Sequence, residues 1–190
     1  MFRRALAALL ALSFAGVACA DARQELHAAF VRTLALRTFK ATMVDLASNK
    51  AVSVVEFQAP NRFRVTPAGQ PPSIIIGDTM VMTHDGRTMK VPLPKGTFAK
   101  YRNEEAIKDL ERGASVEALG PDTVGGQETR TYRFLSASGK QQSTTTVWVG
   151  VVSGNVLQLE TFGKNAAKPF AMRVLYTDFN KSTIRIPTPN

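Results

Sequence analysis

The sequence predicts an α+β protein in which one helix, five or six strands, a short second helix and five or six further strands build a single curved antiparallel sheet. Three observations predict it. The chain opens with apolar residues at helical spacing, and from Thr38 onward the period drops to two, with turn residues between the runs. The gaps between those runs are too short for the crossover helices that parallel strands require.

The first helix is read from Asp21 to about Arg37, where Leu26, Ala29, Phe30, Thr33, Leu34 and Arg37 form one stripe and Asp21 can cap the start. The strands follow as Phe39–Ala47, Ala51–Ala59, Arg62–Pro67, Ser73–Gly77, Thr79–Thr83 and Thr88–Pro92. After the second helix come Ser115–Ala118, Thr129–Ser136, Thr144–Val149, Val156–Phe162 and Ala171–Asp178, with Thr183–Ile186 as a candidate twelfth. Ser48-Asn49, Asp85-Gly86, Gly125-Gly126, Ser138-Gly139 and Ser153-Gly154 supply hairpin turns, because such residues tolerate positive φ. The second helix, Asn103 to Arg112, has a capping Asn, acids in its first turn and Gly113 to stop it.

Ahead of these elements stand Arg3 and Arg4, an apolar run from Ala5 to Val17 and the small residues Ala18-Cys19-Ala20, in the order of a secretory leader. The run is about thirteen residues, short of the roughly twenty that a membrane-spanning helix needs. The expectation is a signal peptide over 1–20, cleaved after Ala20, and one domain over 21–190. Cys19 is the only cysteine, so the cleaved chain has no disulfide, thiolate nucleophile or cysteine metal site. The competing reading makes Cys19 the lipidated first residue of an anchored lipoprotein. That signal favours Leu three residues earlier, where Gly16 stands.

The net charge is +9, two less once Arg3 and Arg4 leave, and the basic residues are scattered from Arg23 to Arg185. Scattered charge makes a generally basic surface suited to anionic headgroups, and argues against a dedicated nucleic-acid patch. Catalytic constellations are missing. His27 lies on the first helix with Glu25 as a solvated neighbour, His84 sits in a turn beside Asp85, and no metalloprotease, hydrolase, phosphate-loop or calcium-loop spacing is present. The paired carboxylates of the second helix are explained by its dipole and by Lys108 and Arg112. The expectation is a non-enzyme without cofactor or metal.

About twelve strands offer more apolar face than two short helices can cover, leaving wall for an apolar ligand. The candidate lining residues are Phe30 from the first helix, then Phe57, Phe63, Ile75, Met80, Met82, Met89, Val91, Trp148, Leu157 and Leu159. Three flexible, polarizable methionines close together suit a wall that adapts to different chains, although each residue taken singly also fits plain core packing. Two acyl chains of some thirty methylenes would cost on the order of 24 kcal/mol in water. A pocket that offsets this cost needs little polar precision.

Several segments carry a resemblance. Ala59-Pro60-Asn61-Arg62-Phe63-Arg64 is similar to the P-N-x-F-R segment of periplasmic outer-membrane lipoprotein carriers of the LolA-like, lipoprotein-sorting family. Ile74-Ile75-Ile76-Gly77-Asp78 and Asp85-Gly86 leading to Met89-Lys90-Val91-Pro92 follow in order. The second half continues with Leu119-Gly120-Pro121-Asp122-Thr123-Val124-Gly125-Gly126, Tyr132, Thr146-Val147-Trp148-Val149, Val156-Leu157-Gln158-Leu159-Glu160 and Tyr176-Thr177-Asp178-Phe179-Asn180 before Ile184 and Pro187. The resemblance implies an open, strongly curved antiparallel sheet, an unclosed barrel of about eleven strands with its helices on the concave face. It implies a periplasmic carrier that takes acyl chains of a lipid or lipoprotein from an inner-membrane loader to an outer-membrane acceptor; a monomer is the default expectation. A membrane-anchored acceptor acylated at Cys19, and an envelope-stress regulator on the same fold, are the alternatives. The best-known members hold a lid shut with an arginine directly before the Pro-Asn pair; here Ala59 stands there, with Arg62 and Arg64 the nearest substitutes.

Overall fold

The structure, a computed structural model, describes residues 22–84, 87–95, 102, 104–138, 141–165 and 168–188. The expected leader, the Asp85-Gly86 turn and Gly139 lie outside these residues. Helix α1 occupies 22–34. The strands β1 (Thr38–Asp45), β2 (Lys50–Gln58), β3 (Arg62–Pro67), β4 (Ser73–Ile76), β5 (Thr79–His84) and β6 (Arg87–Pro92) follow, then α2 (Glu104–Glu111). The second series is β7 (Val116–Val124), β8 (Gln127–Ser138), β9 (Gln141–Gly150), β10 (Val156–Asn165) and β11 (Lys168–Thr177). All eleven strands form one antiparallel, curved and unclosed sheet in the order β6-β5-β4-β3-β2-β1-β11-β10-β9-β8-β7.

Two hairpin meanders are thus joined through the β1–β11 pair, and β6 and β7 are the two edges. The edges suit their sequences. β7 contains Pro121, which cannot donate to a neighbour on a central strand, and the bulge between Ala118 and Gly120. The β7–β8 hairpin closes on Gly125 and Gly126 at φ +55° and +78°, values a two-residue turn demands and only glycine adopts freely.

The twelfth candidate strand, Thr183–Ile186, is not a strand. The segment after β11 lies across the outer face of the sheet, held by side chains instead of a ladder: Arg62 Nη1 donates to Ile186 O (3.0 Å) and Arg64 Nη2 to Arg185 O (2.8 Å), while Ile186 N donates to Gln58 Oε1 (2.7 Å). Ile184 and Ile186 are buried by this strap. Arg62 and Arg64 are therefore engaged on the face opposite Phe57 and Phe63, which corrects their candidacy as lid-holding groups.

The core lies between the helices and the inner face of the sheet. Leu26, Ala29 and Phe30 of α1 and Ile107 and Leu110 of α2 pack there with Phe39, Ala41, Val55, Phe57, Phe63, Ile75, Phe134, Val147 and Tyr176. Aromatic stacking concentrates on this face, with Phe39 and Phe57 centroids 4.9 Å apart and Phe57 and Phe63 5.2 Å apart. Thr33 is the buried polar exception on α1: its Oγ1 donates to Ala29 O (2.8 Å) and accepts from Val156 N (3.0 Å). Val156 stands at the β9–β10 bulge, where the register shifts, and its N–H is satisfied by the helix through Thr33. Thr33→Val is expected to keep the shape and strand that buried donor, lowering stability by about 1–3 kcal/mol in urea unfolding.

Candidate functional site

Residues opposite each other in an antiparallel ladder share a face, so the register maps the wall beneath the helices. One row crosses six strands as Phe39↔Phe57↔Phe63↔Ile75↔Met80↔Val91. Met82↔Met89 forms a parallel rung beside its far end. Burial changes steadily along the row: Phe39, Phe57, Phe63 and Ile75 are buried, Met80 and Met82 are half-buried, and at the β6 edge Val91 and Met89 are 36% and 49% exposed. A continuous apolar surface thus starts under α1 and α2 and emerges into solvent at a free sheet edge.

Of the residues read from the sequence as lining, Phe30, Phe57, Phe63, Ile75, Met80, Met82, Met89, Val91 and Leu159 lie on this inner side, Phe30 facing it from α1 with its ring 6.2 Å from that of Phe134. Trp148 does not. Val147 and Val149 take the inward positions of β9, so alternation turns Trp148 outward, where its Nε1 donates to Asp122 Oδ2 (2.8 Å) and holds that carboxyl below its usual range. Leu157 is buried but outside the core cluster. The bulge between Val156 and Gln158 breaks the alternation that pairs it with Leu159.

Phe39, the first member of the row, and Arg102 were not singled out in the sequence. Arg102 stands just before α2; its guanidinium carbon lies 5.0 Å from the Phe57 ring centroid, and its Nη2 donates to Leu34 O (2.8 Å) at the end of α1. It thereby joins the approach to α2, the end of α1 and the middle of the apolar row. An exposed-looking arginine in a loop gives no pattern by which to find it. Phe39 was legible as the start of β1, and its period-two partner Ala41 was the available signal.

A groove of about 890 Å³ opens at the other end of α1, bordered among others by Ala22, Glu25, Ala118, Pro121, Arg130 and Tyr132. None of the sequence-predicted lining residues borders it. Arg130 Nη1 donates to Glu25 Oε1 (2.8 Å) and Tyr132 Oη donates to Glu25 Oε2, pinning the first described turn of α1 to β8. His27 meets Glu111 of α2 instead of Glu25, at 3.5 Å. Burial and the Glu25 carboxylate push the Tyr132 hydroxyl up to about 12. The unfolded chain loses that proton from about pH 10, so stability is expected to fall as pH rises from there to about 12. Tyr132→Phe is expected to flatten that part of the alkaline slope, as read from urea midpoints against pH.

Among the described residues there is no group of three or more His, Cys, Asp or Glu placed to hold a metal ion, and no helix long and apolar enough to cross a membrane. No protein-family model matches the chain, and no curated protein sequence does either. Solved structures do. Lipoprotein LppX of Mycobacterium tuberculosis superposes with a TM-score of 0.61 at 12% identity, over 85% of this chain and 96% of that one. LprF of Mycobacterium bovis gives 0.61 at 13% identity, over 89% and 97%. At such identities the likeness is one of fold: the chain has, over nearly its whole described length, the half-barrel architecture of these two proteins, as the resemblance in its sequence implied.

Proposed function

We propose that the protein is a non-enzymatic carrier that takes acyl chains of a lipid or lipoprotein against the inner face of its sheet and moves them across the periplasm toward the outer membrane. The observation that carries this reading is the row from Phe39 to Val91, buried at one end and open at the other. An ordinary core row ends where its cover ends; this one continues to the edge as Met80, Met82, Met89 and Val91, side chains that conform to varied apolar partners. An acyl chain laid along the exposed rungs replaces water there, and movement of the α2 region extends the contact toward Phe63 and Phe57. Arg102 is placed to hold that region closed when the wall is empty.

The fold shared with LppX and LprF supports the reading, as does the apolar character of the wall. Loading by an inner-membrane protein, release to an outer-membrane acceptor and action as a monomer belong to the same proposal. Titration of the protein with a fluorescent fatty-acid probe tests it: saturable binding, competed by phospholipid, is expected, and no binding by folded protein contradicts it.

One observation favours a second reading, an anchored acceptor. The structurally similar LppX is named a lipoprotein, and Cys19 offers an acylation point. Metabolic labelling with palmitate separates the two, since the soluble carrier leaves the leader unlabelled and removed.

A further inference from the structure

The end of the sheet formed by the β10–β11 hairpin carries apolar side chains on both of its faces. Phe162 points outward and is 47% exposed; Phe170, paired with Gly163 on the next rung, points to the inner side and is 40% exposed. A Cβ built on Gly163 would come within 2.9 Å of the Phe170 ring, so the glycine makes room for the ring to lie against the strand. On the outer face Leu135 of β8 and Phe162 of β10 flank Thr144 of β9 in one row, and Leu135 is 66% exposed.

Single exposed apolar residues are ordinary. Two rings on opposite faces of one hairpin end, joined by a leucine two strands away, cannot all be covered by folding the hairpin onto a core. The charges around them are net basic: Glu117, which borders the same groove as Leu135 and Phe162, faces Arg133 at 3.5 Å. The sequence from Thr161 to Arg173 contains Lys164 and Lys168 and no carboxylate, Lys164 is exposed, and the nearest carboxylate on these strands, Glu160, is held by Arg173 at 2.7 Å. Aromatic rings beside the exposed Lys164, with the neighbouring carboxylates Glu117 and Glu160 each facing an arginine, match the interface of an anionic bilayer, where rings enter the headgroup boundary and ammonium groups meet lipid phosphates.

We propose that this hairpin end, with Phe162, Phe170, Leu135 and Lys164, docks the protein on the surface of an anionic lipid bilayer. The inference rests on the carrier reading for its purpose, since cargo must enter or leave at a membrane, but its evidence is separate: none of these residues belongs to the Phe39–Val91 row. Binding is shallow and reversible, because two rings and a leucine insert far less apolar surface than a spanning segment.

The test is flotation of the full folded protein with vesicles of phosphatidylglycerol in phosphatidylethanolamine and with vesicles of phosphatidylcholine alone. Binding to the anionic vesicles is expected to exceed that to the neutral ones and to weaken with salt. Phe162→Asp with Phe170→Asp is expected to weaken it about tenfold or more, and Lys164→Glu several-fold. Phe162→Asp alone, on the outer face, serves if the double variant melts early. The fatty-acid probe is run on the same samples: variants that lose flotation and keep the probe support the docking end. Wild-type protein that ignores the anionic vesicles overturns the docking end, as do variants that float like wild type. So does a Phe162- and Phe170-dependent dimer that binds no vesicle. Loss of the probe by wild type overturns the carrier reading instead.

Discussion

Replacing Phe57 by alanine is expected to lower folding stability by about 3–5 kcal/mol. Phe57 is fully buried, stacks on Phe39, touches Phe63 and lies under the Arg102 guanidinium. Removing the ring deletes the middle of the aromatic row and the surface on which Arg102 rests, and rigid strands on both sides limit how far the gap can close. Phe57→Leu, which keeps most of the volume, is expected to cost much less. Equilibrium urea unfolding of the three proteins measures the series; a Phe57→Ala variant within about 1 kcal/mol of wild type would show that the row is not the packed centre assigned to it.

Met89→Asp together with Val91→Asp is expected to weaken acyl-probe binding by about 100-fold while leaving the unfolding midpoint nearly unchanged. Both side chains lie on the β6 edge and are partly open to solvent, so a carboxylate there reaches water in the empty protein. With an acyl chain against Met80 and Met82, the rungs opposite them, the same carboxylates must be dehydrated beside methylenes or hold the chain away. Stability and binding are thereby separated, which a substitution at Phe57 cannot do. Normal probe affinity in the folded variant would remove the β6 end from the binding wall.

Much of this architecture is legible in the sequence because most strands alternate cleanly. Phe57 with Val55, Phe63 with Val65 and Met80 with Met82 follow from period two alone, and short turns force the antiparallel order. The reading fails where alternation is broken or where the inward phase of a strand goes the other way. The extra residue at Val156–Gln158 removes Leu157 from the side of Leu159, and the inward choice of Val147 and Val149 reverses Trp148. The β7 strand continues to Val124 through Leu119-Gly120-Pro121 because an edge tolerates proline and a bulge, a permission that depends on neighbours the sequence does not display. The strap over Ile184 and Ile186 has a strand-like composition, yet Gln58, Arg62 and Arg64 hold it with side-chain bonds. Arg102 acquires its position only when α1, α2 and β2 meet.

Mass spectrometry of the protein purified gently from its own envelope fraction, under native and then denaturing conditions, tests the carrier account most directly. The account predicts a folded protein with an added mass that is released on denaturation and identified as phospholipid or acylated protein. A folded protein that carries no such mass and also fails to bind the fatty-acid probe would contradict it.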